Sequence, residues 1–469
     1  MSRWSLGSAH ISESPIPEIV SPSPTAPASV SYLSLRFARK GATCLFLPFL
    51  AAVAFFLKPS LFAQQVFLQL QKTDTLNGRW SDVFMSPEMV TNGRIATGPV
   101  AGNSGFWRMN LEMASNPAIN TSGPNISVPR EASTLQAAVD LLPNGGTVYV
   151  STGVYTNPVT ISGKNVNFVG ISSDAKPIIQ GPAISGYTSF TNALGIINYG
   201  PNASGAVMNL VIVGGDTGIR GFTSSDPRDL PPNVTLSNVT LTRNVRGVAG
   251  SFSQLTVSAS SILKASMHGI SVSNGNSASL EFANSILGQA GGYGLRVISG
   301  RPSNNPLTVF ITNSTFVGNA GAGVVMIGPI SVQAFSSHFI ANGQAGLWCN
   351  GLATTNNRFW NCVAAYNTNN PYVGGSGNLG IGLALAQSGV INATLSEFLG
   401  NERAGLVAES APAGFLLAGS TVTANLHGVI TAGGASLNQI WPNVITNNSG
   451  ENIMSDSTQS VPGPPPIPE

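Results

Sequence analysis

Residues 314–347 read STFVGNAGAGVVMIGPISVQAFSSHFIANGQAGL, and this stretch contains one pattern twice. A small polar residue, an apolar one, two spacers and an Asn (Asn319, Asn342) lead to Gly323–Val324 and, 23 residues on, to Gly346–Leu347. Working outward, Gly followed by Ile, Leu or Val recurs at Gly218, Gly247, Gly269, Gly294, Gly323, Gly346, Gly380, Gly405 and Gly428. The intervals run from 22 to 34 residues, and the aliphatics are Ile219, Val248, Ile270, Leu295, Val324, Leu347, Ile381, Leu406 and Val429. Asn244, Asn319, Asn342, Asn401 and Asn425 take one equivalent position, with a degraded copy near Asn447.

A unit of this length cannot close a core alone. Coiled, it sets equivalent strands ~4.8 Å apart, each pairing with the next, and stacks the aliphatics at ~1.5–3 kcal/mol per buried side chain. Asn suits a left-handed turn and bonding to the Asn of the next coil, and Gly suits a sharp bend. Parallel crossovers favour the right hand. A leucine-rich repeat needs regular Leu spacing, a propeller blade takes ~40–45 residues, and calcium-binding nonapeptides need recurring Asp. The expected fold is therefore all-β, a right-handed single-stranded parallel β-helix of about 10–12 coils.

Composition agrees. Charged residues are 9% of the 469, which excludes a mostly helical protein needing charged outer faces, and 42% hydrophobic residues exclude disorder of the whole chain. A net charge of +2 without a basic stripe gives no nucleic-acid partner.

Residues 133–170, STLQAAVDLLPNGGTVYVSTGVYTNPVTISGKNVNFVG, resemble the first coils of right-handed parallel β-helix proteins of the pectin lyase-like superfamily. The resemblance implies an amphipathic helix capping the open end. Locally, Ser133 or Thr134 caps a helix with Leu135, Val139 and Leu142 on one face, ended by Pro143 and Gly145.

The organisation expected is a disordered leader or misassigned start at 1–34, a signal peptide at 35–63, a β-rich segment at 64–125, the solenoid at 126–455 and a Pro-rich tail at 456–469. Arg36, Arg39 and Lys40 precede an apolar run from Ala42 to Leu57, with cleavage expected after Ala63. A signal anchor is the rival reading, but at 16 residues with Pro48 inside, that run is short of the ~20 that span a bilayer, so the mature chain is expected outside the cytoplasm, secreted or on the cell surface, with no membrane segment. It keeps Cys349 and Cys362, for which a disulfide and two buried thiols stay open; Cys362 is read as filling an Asn slot.

Function is harder to read. The resemblance implies polysaccharide as partner, with Asp-bound Ca²⁺ and a basic residue in lyases and Asp pairs in hydrolases, yet no family signature has a matching position, so no catalytic residue is assigned. If the residues flanking each Gly–aliphatic pair point outward, Arg220, Arg246, His268, Tyr293 and Arg296 line one side of the early coils, with Trp348 further on. Arg would meet carboxylates and the aromatics stack on sugar faces. Asp216, Asp226 and Asp229 are the weak candidates for a Ca²⁺ site; otherwise no cofactor is expected. The reading is an exported β-helix protein contacting extracellular or cell-envelope polysaccharide, with two alternatives: a lyase or hydrolase acting on a polyuronate, and a structural or adhesive surface solenoid.

Overall fold

The computed structural model describes residues 124–456, except 172–174, 183–194, 225, 227, 274–278, 354–356, 370–379, 411 and 441, and the backbone of six short strands between Leu33 and Met113. The rest of the expected leader and signal, and the tail beyond Asp456, lie outside the described residues. Two units are distinguished by their contacts. The first holds an antiparallel sheet in the order Leu33–Phe37, Phe106–Met113, Val66–Thr73, Ser81–Asp82, and a small hairpin of Val90–Thr91 with Arg94–Ile95.

The second unit is the solenoid. A representative coil runs Asn233–Ser237, Thr240–Thr242, Arg246–Gly250, and each strand joins a different sheet. Here these are sheet A (13 strands), sheet B (12) and sheet C (12), every pairing in them being parallel between successive coils. Strand alternation sends every second side chain inward, as in Leu307–Thr312, where Leu307, Val309 and Ile311 are buried. The inward residues of all three sheets form one apolar core.

Two corners per coil depend on left-handed residues. Between sheets A and B a single residue turns the chain, among them Asn238, Asn284, Asn313 and Asn361, with φ of 45–55°. Between B and C the left-handed residue is one such as Arg243, Lys264, Gln289, Gly318, Ala341 or Ala424. The repeated Asn follows it and is not itself left-handed, which corrects the sequence expectation. Its amide instead works as a rung: Asn319 Nδ2 donates to Asn342 Oδ1 (2.9 Å), Asn342 to Asn367 (3.1 Å), Asn367 to Asn401 (2.8 Å), Asn401 to Asn425 (2.9 Å) and Asn425 to Asn448 (3.1 Å). Asn244 stands apart from this run, since Ala265 and Ala290 separate it from Asn319. Asn448, not Asn447, is the last rung.

A second ladder escaped the sequence reading. Ser260, Ser285, Ser314, Ser337, Ser396 and Ser420 stand just after the A–B corner, each hydroxyl accepting from a backbone N–H of the coil before, as Ser314 N–H donates to Ser337 Oγ (3.1 Å). Cys362 belongs here, between Ser337 and Ser396, and not to the Asn column, whose place in that coil is Asn367's. Cys362 and Cys349 are both buried free thiols.

The glycine column has a steric cause. A Cβ on Gly247 or Gly269 would lie 2.5 Å from the carbonyl oxygen of Gly269 or Gly294 in the next coil, and the same holds at Gly294, Gly323 and Gly346 at 2.6–2.7 Å. Close approach, not a bend at positive φ, requires glycine here. The column also corrects one rung: Leu347 pairs with Leu383, and Leu383 with Leu406, so the inward residue after a stacked glycine is Leu383 behind Gly382. Ile381 pairs with Ala345 and Ala404 and lies on the outer face. The other eight aliphatics form the inward column, which extends upstream to Ile197 and Val159.

The ends differ. At the start, the helix Leu135–Leu141 is capped by Thr134, whose Oγ1 accepts from Ala137 N–H (3.1 Å), and buries Leu135, Ala138 and Val139 against the first coils. At the other end Ser436–Ile440, Val444–Thr446 and Ile453–Asp456 have no further neighbour among the described residues, and Ile440, Val444 and Ile453 are exposed.

Candidate functional site: the outer face of sheet C

Each sheet C strand begins with a residue before the stacked glycine and, three positions on, a second residue on the same outer side. Pairing puts Thr217, Arg246 and His268 in one column, continued by Tyr293, whose ring stacks on His268 (5.2 Å, 4°). Arg220, Ala249, Ser271 and Arg296 form the second column, followed by Val325 and Trp348. The two expected lines of side chains are therefore present and adjacent.

Their exposure differs from the expectation of an open groove. Arg246, His268, Tyr293 and Trp348 are buried, while Arg220 and Arg296 are partly exposed. Tyr293 and Trp348 belong to an apolar cluster outside the solenoid core, with Ala322, Val325, Ile381 and Val407, so their ring faces are not open for sugar stacking. The sequence could not show this, because outward direction follows from strand period whereas cover depends on what packs against the sheet.

Arg246 forms a buried ion pair with Asp216 (3.2 Å). Taking one partner away would remove the buried counter-charge of the other. Burial, then Arg296 and Arg246, push His268 down to about 3, so its imidazole is neutral at ordinary pH. His268 Nδ1 accepts from Tyr293 N–H (3.2 Å), which places the ring proton on Nε2. The imidazole thus has a donor to offer and no lone pair for taking a proton. Burial pushes Tyr293 up to about 12, against the pull of Arg296. Arg220 lies over the ring of Phe222, 5.7 Å from its centroid.

The three aspartates do not act together. Asp216 is engaged by Arg246, Asp226 holds Arg228 in an exposed pair (2.6 Å), and Asp229 accepts from Asn202 Nδ2 (2.7 Å). Among the described residues no group of three or more His, Cys, Asp or Glu could hold a metal ion.

Residues 245–421 match the family model described as right handed beta helix region, and the chain is a right-handed parallel β-helix protein, the fold implied by its pectin lyase-like resemblance. Among solved structures, a double mutant of the periplasmic alginate epimerase AlgG is similar at 12% identity and TM-score 0.42, covering 71% of this chain and 83% of that one. The A-module of the Azotobacter vinelandii mannuronan C-5 epimerase AlgE6 follows at 14% and 0.41, covering 69% and 94%. The Agl-KA catalytic domain is similar at 13% and 0.40, covering 84% of each chain. No curated protein matches the chain.

Proposed function

We propose that this is an exported protein that contacts an acidic extracellular or cell-envelope polysaccharide along the outer face of sheet C, without chemistry of its own. The observation that carries the reading is the second outer column. Arg220 and Arg296 are its partly exposed members, three coils apart, ~14 Å at the strand spacing, with the short side chains of Ala249 and Ser271 between them. That makes a shallow floor with a guanidinium at each end, suited to carboxylates on separate sugars of one chain. Asp216–Arg246, His268 and Tyr293 are its buried backing. Polysaccharide as the class of partner comes from the pectin lyase-like resemblance, and export from the basic and apolar segments before Gln64. Among the described residues no helix is long and apolar enough to cross a membrane.

Burial of Arg246, His268, Tyr293 and Trp348 favours the rival reading, a structural or adhesive solenoid. Affinity electrophoresis of the purified protein in gels containing polyuronates, beside assays for unsaturated product and reducing ends, separates the readings. Retardation weakened about tenfold in the Arg220→Ala/Arg296→Ala variant, with no product, is the expected result. Product formation lost in that variant replaces it with the lyase or hydrolase reading, and absence of both binding and product leaves the structural solenoid.

A further inference from the structure

Sheet A has a different outer face. Its pairing places Glu281, Phe310, Gln333, Arg358 and Asn392 in one outward column, one coil apart. Two residues along the strands a second column holds Thr312, Phe335, Trp360 and Thr394. Phe335 and Trp360 are neighbours, their rings 6.4 Å apart and inclined at 50°, and Trp360 is 46% exposed although tryptophan is costly to leave in water. Arg358 is exposed two residues from Trp360 on the same face, ~7 Å along the strand. The side chains of Gln333, Arg358 and Asn392 make no hydrogen bond or ion pair among the described residues. The shelf itself is fixed from below: Phe359 is buried in the core, and at the corner Asn361 Nδ2 donates to Ser336 Oγ (3.2 Å).

We infer that this shelf is a second glycan-binding site, for a uronate-bearing oligosaccharide. The apolar face of a pyranose ring lies on Trp360 and Phe335, Arg358 meets the carboxylate, and Gln333 and Asn392 bond hydroxyls on neighbouring sugars. Charge decides the class of occupant. Arg358 has no ion-pair partner among the described residues and stands beside the aromatic pair, and Glu281, the carboxylate of its column among the described residues, is three coils away, ~14 Å. Aromatic and Arg side chains together are the usual anchors of a binding surface. The site shares its class of ligand with the reading for sheet C but stands on other residues.

Calorimetric titration of the purified protein with oligogalacturonate and with neutral cello-oligosaccharide tests it. Trp360→Ala is expected to weaken oligogalacturonate about tenfold and Trp360→Phe to keep most of the affinity. Arg358→Gln should weaken the uronate about tenfold while leaving the neutral sugar unchanged, which a merely structural residue would not do. Both positions are exposed, and unchanged far-ultraviolet dichroism verifies folding. Parent-like affinity in Trp360→Ala overturns the inference, as does a parent dimer in sedimentation velocity that this variant splits. Loss of binding in Arg220→Ala/Arg296→Ala with none in the sheet A variants confines the contact to sheet C and also overturns it. The converse result upholds the shelf and removes the sheet C reading.

Discussion

The early and late coils of sheet C have the same backbone and the same inward column, yet their outer faces differ in chemistry. Coils through Tyr293 carry Asp216, Thr217, Arg246 and His268, whereas from Ala322 to Val407 the same positions hold Ala345, Trp348, Ile381 and Ala404. The scaffold therefore constrains the inside and leaves the outside free, so specialised chemistry is to be sought in the outward columns. In the early coils that chemistry is an ion pair and a neutral imidazole held away from water; in the late coils it is apolar packing.

The comparison can be broken by substitution. Arg246→Ala, which removes the buried ion-pair partner of Asp216, is expected to cost about 3–5 kcal/mol in urea unfolding, and the Asp216→Asn/Arg246→Met pair distinctly less. A single loss as small as at a surface pair would mean the early face is not a dry polar cluster. In the late coils Ile381→Ala should cost about 2–5 kcal/mol through a cavity, unaffected by pH. The early face should be pH-sensitive instead. His268 titrates at about 3 when folded against 6.5 for the free side chain, so the unfolded chain binds the proton first. Its contribution is whole above about pH 6.5 and is lost as pH falls toward 3, so His268→Gln should flatten the stability profile in that window. The smallest effect belongs to the shared interior: Cys362→Ser completes the serine ladder and should be neutral or stabilising by up to about 1 kcal/mol in thermal melts.

Much of the interior was legible in the sequence because each inward position has one physical job. Gly next to an aliphatic gave the coil count, and Thr134 with its apolar stripe gave the cap. The slip at Gly380 has a local cause. In GNLGIGLALA two Gly–aliphatic pairs occur two residues apart, and only the contact of Gly382 with the carbonyl of Gly405 chooses between them. The serine ladder was missed because serine is common in this chain, and a column of it stands out only once strands are in register. The outer faces were legible in direction and not in exposure. Trp348 and Trp360 both point away from the core, yet one is 3% exposed and the other 46%. Reading NRFW at period two, with Asn357 and Phe359 inward, would have found the Arg358–Trp360 edge.

Interior packing shows how coils of unequal composition remain compatible. Phe316 stacks on Phe339, and the next member of that column is only Ala364. Phe359 reaches across from sheet A to fill the gap, 5.4 Å from Phe339 and 5.6 Å from Phe398, and its own column neighbours are the small Ala334 and Ala393. Volume is conserved over groups of coils, so an enlarging change at Ala364 requires a matching reduction at Phe359.

The glycine stack has a consequence for how such a molecule changes length. With each glycine pressed beneath the carbonyl of its successor, no fraction of a turn can be inserted into the stacked core. Gain or loss there proceeds by whole turns, and although Gly346 and Gly382 stand further apart in sequence than other neighbours of the stack, Leu347 still pairs with Leu383. The protein is in this sense a ruler with fixed graduations, and adding one turn between Arg220 and Arg296 would move the two guanidiniums apart by a single step of ~4.8 Å.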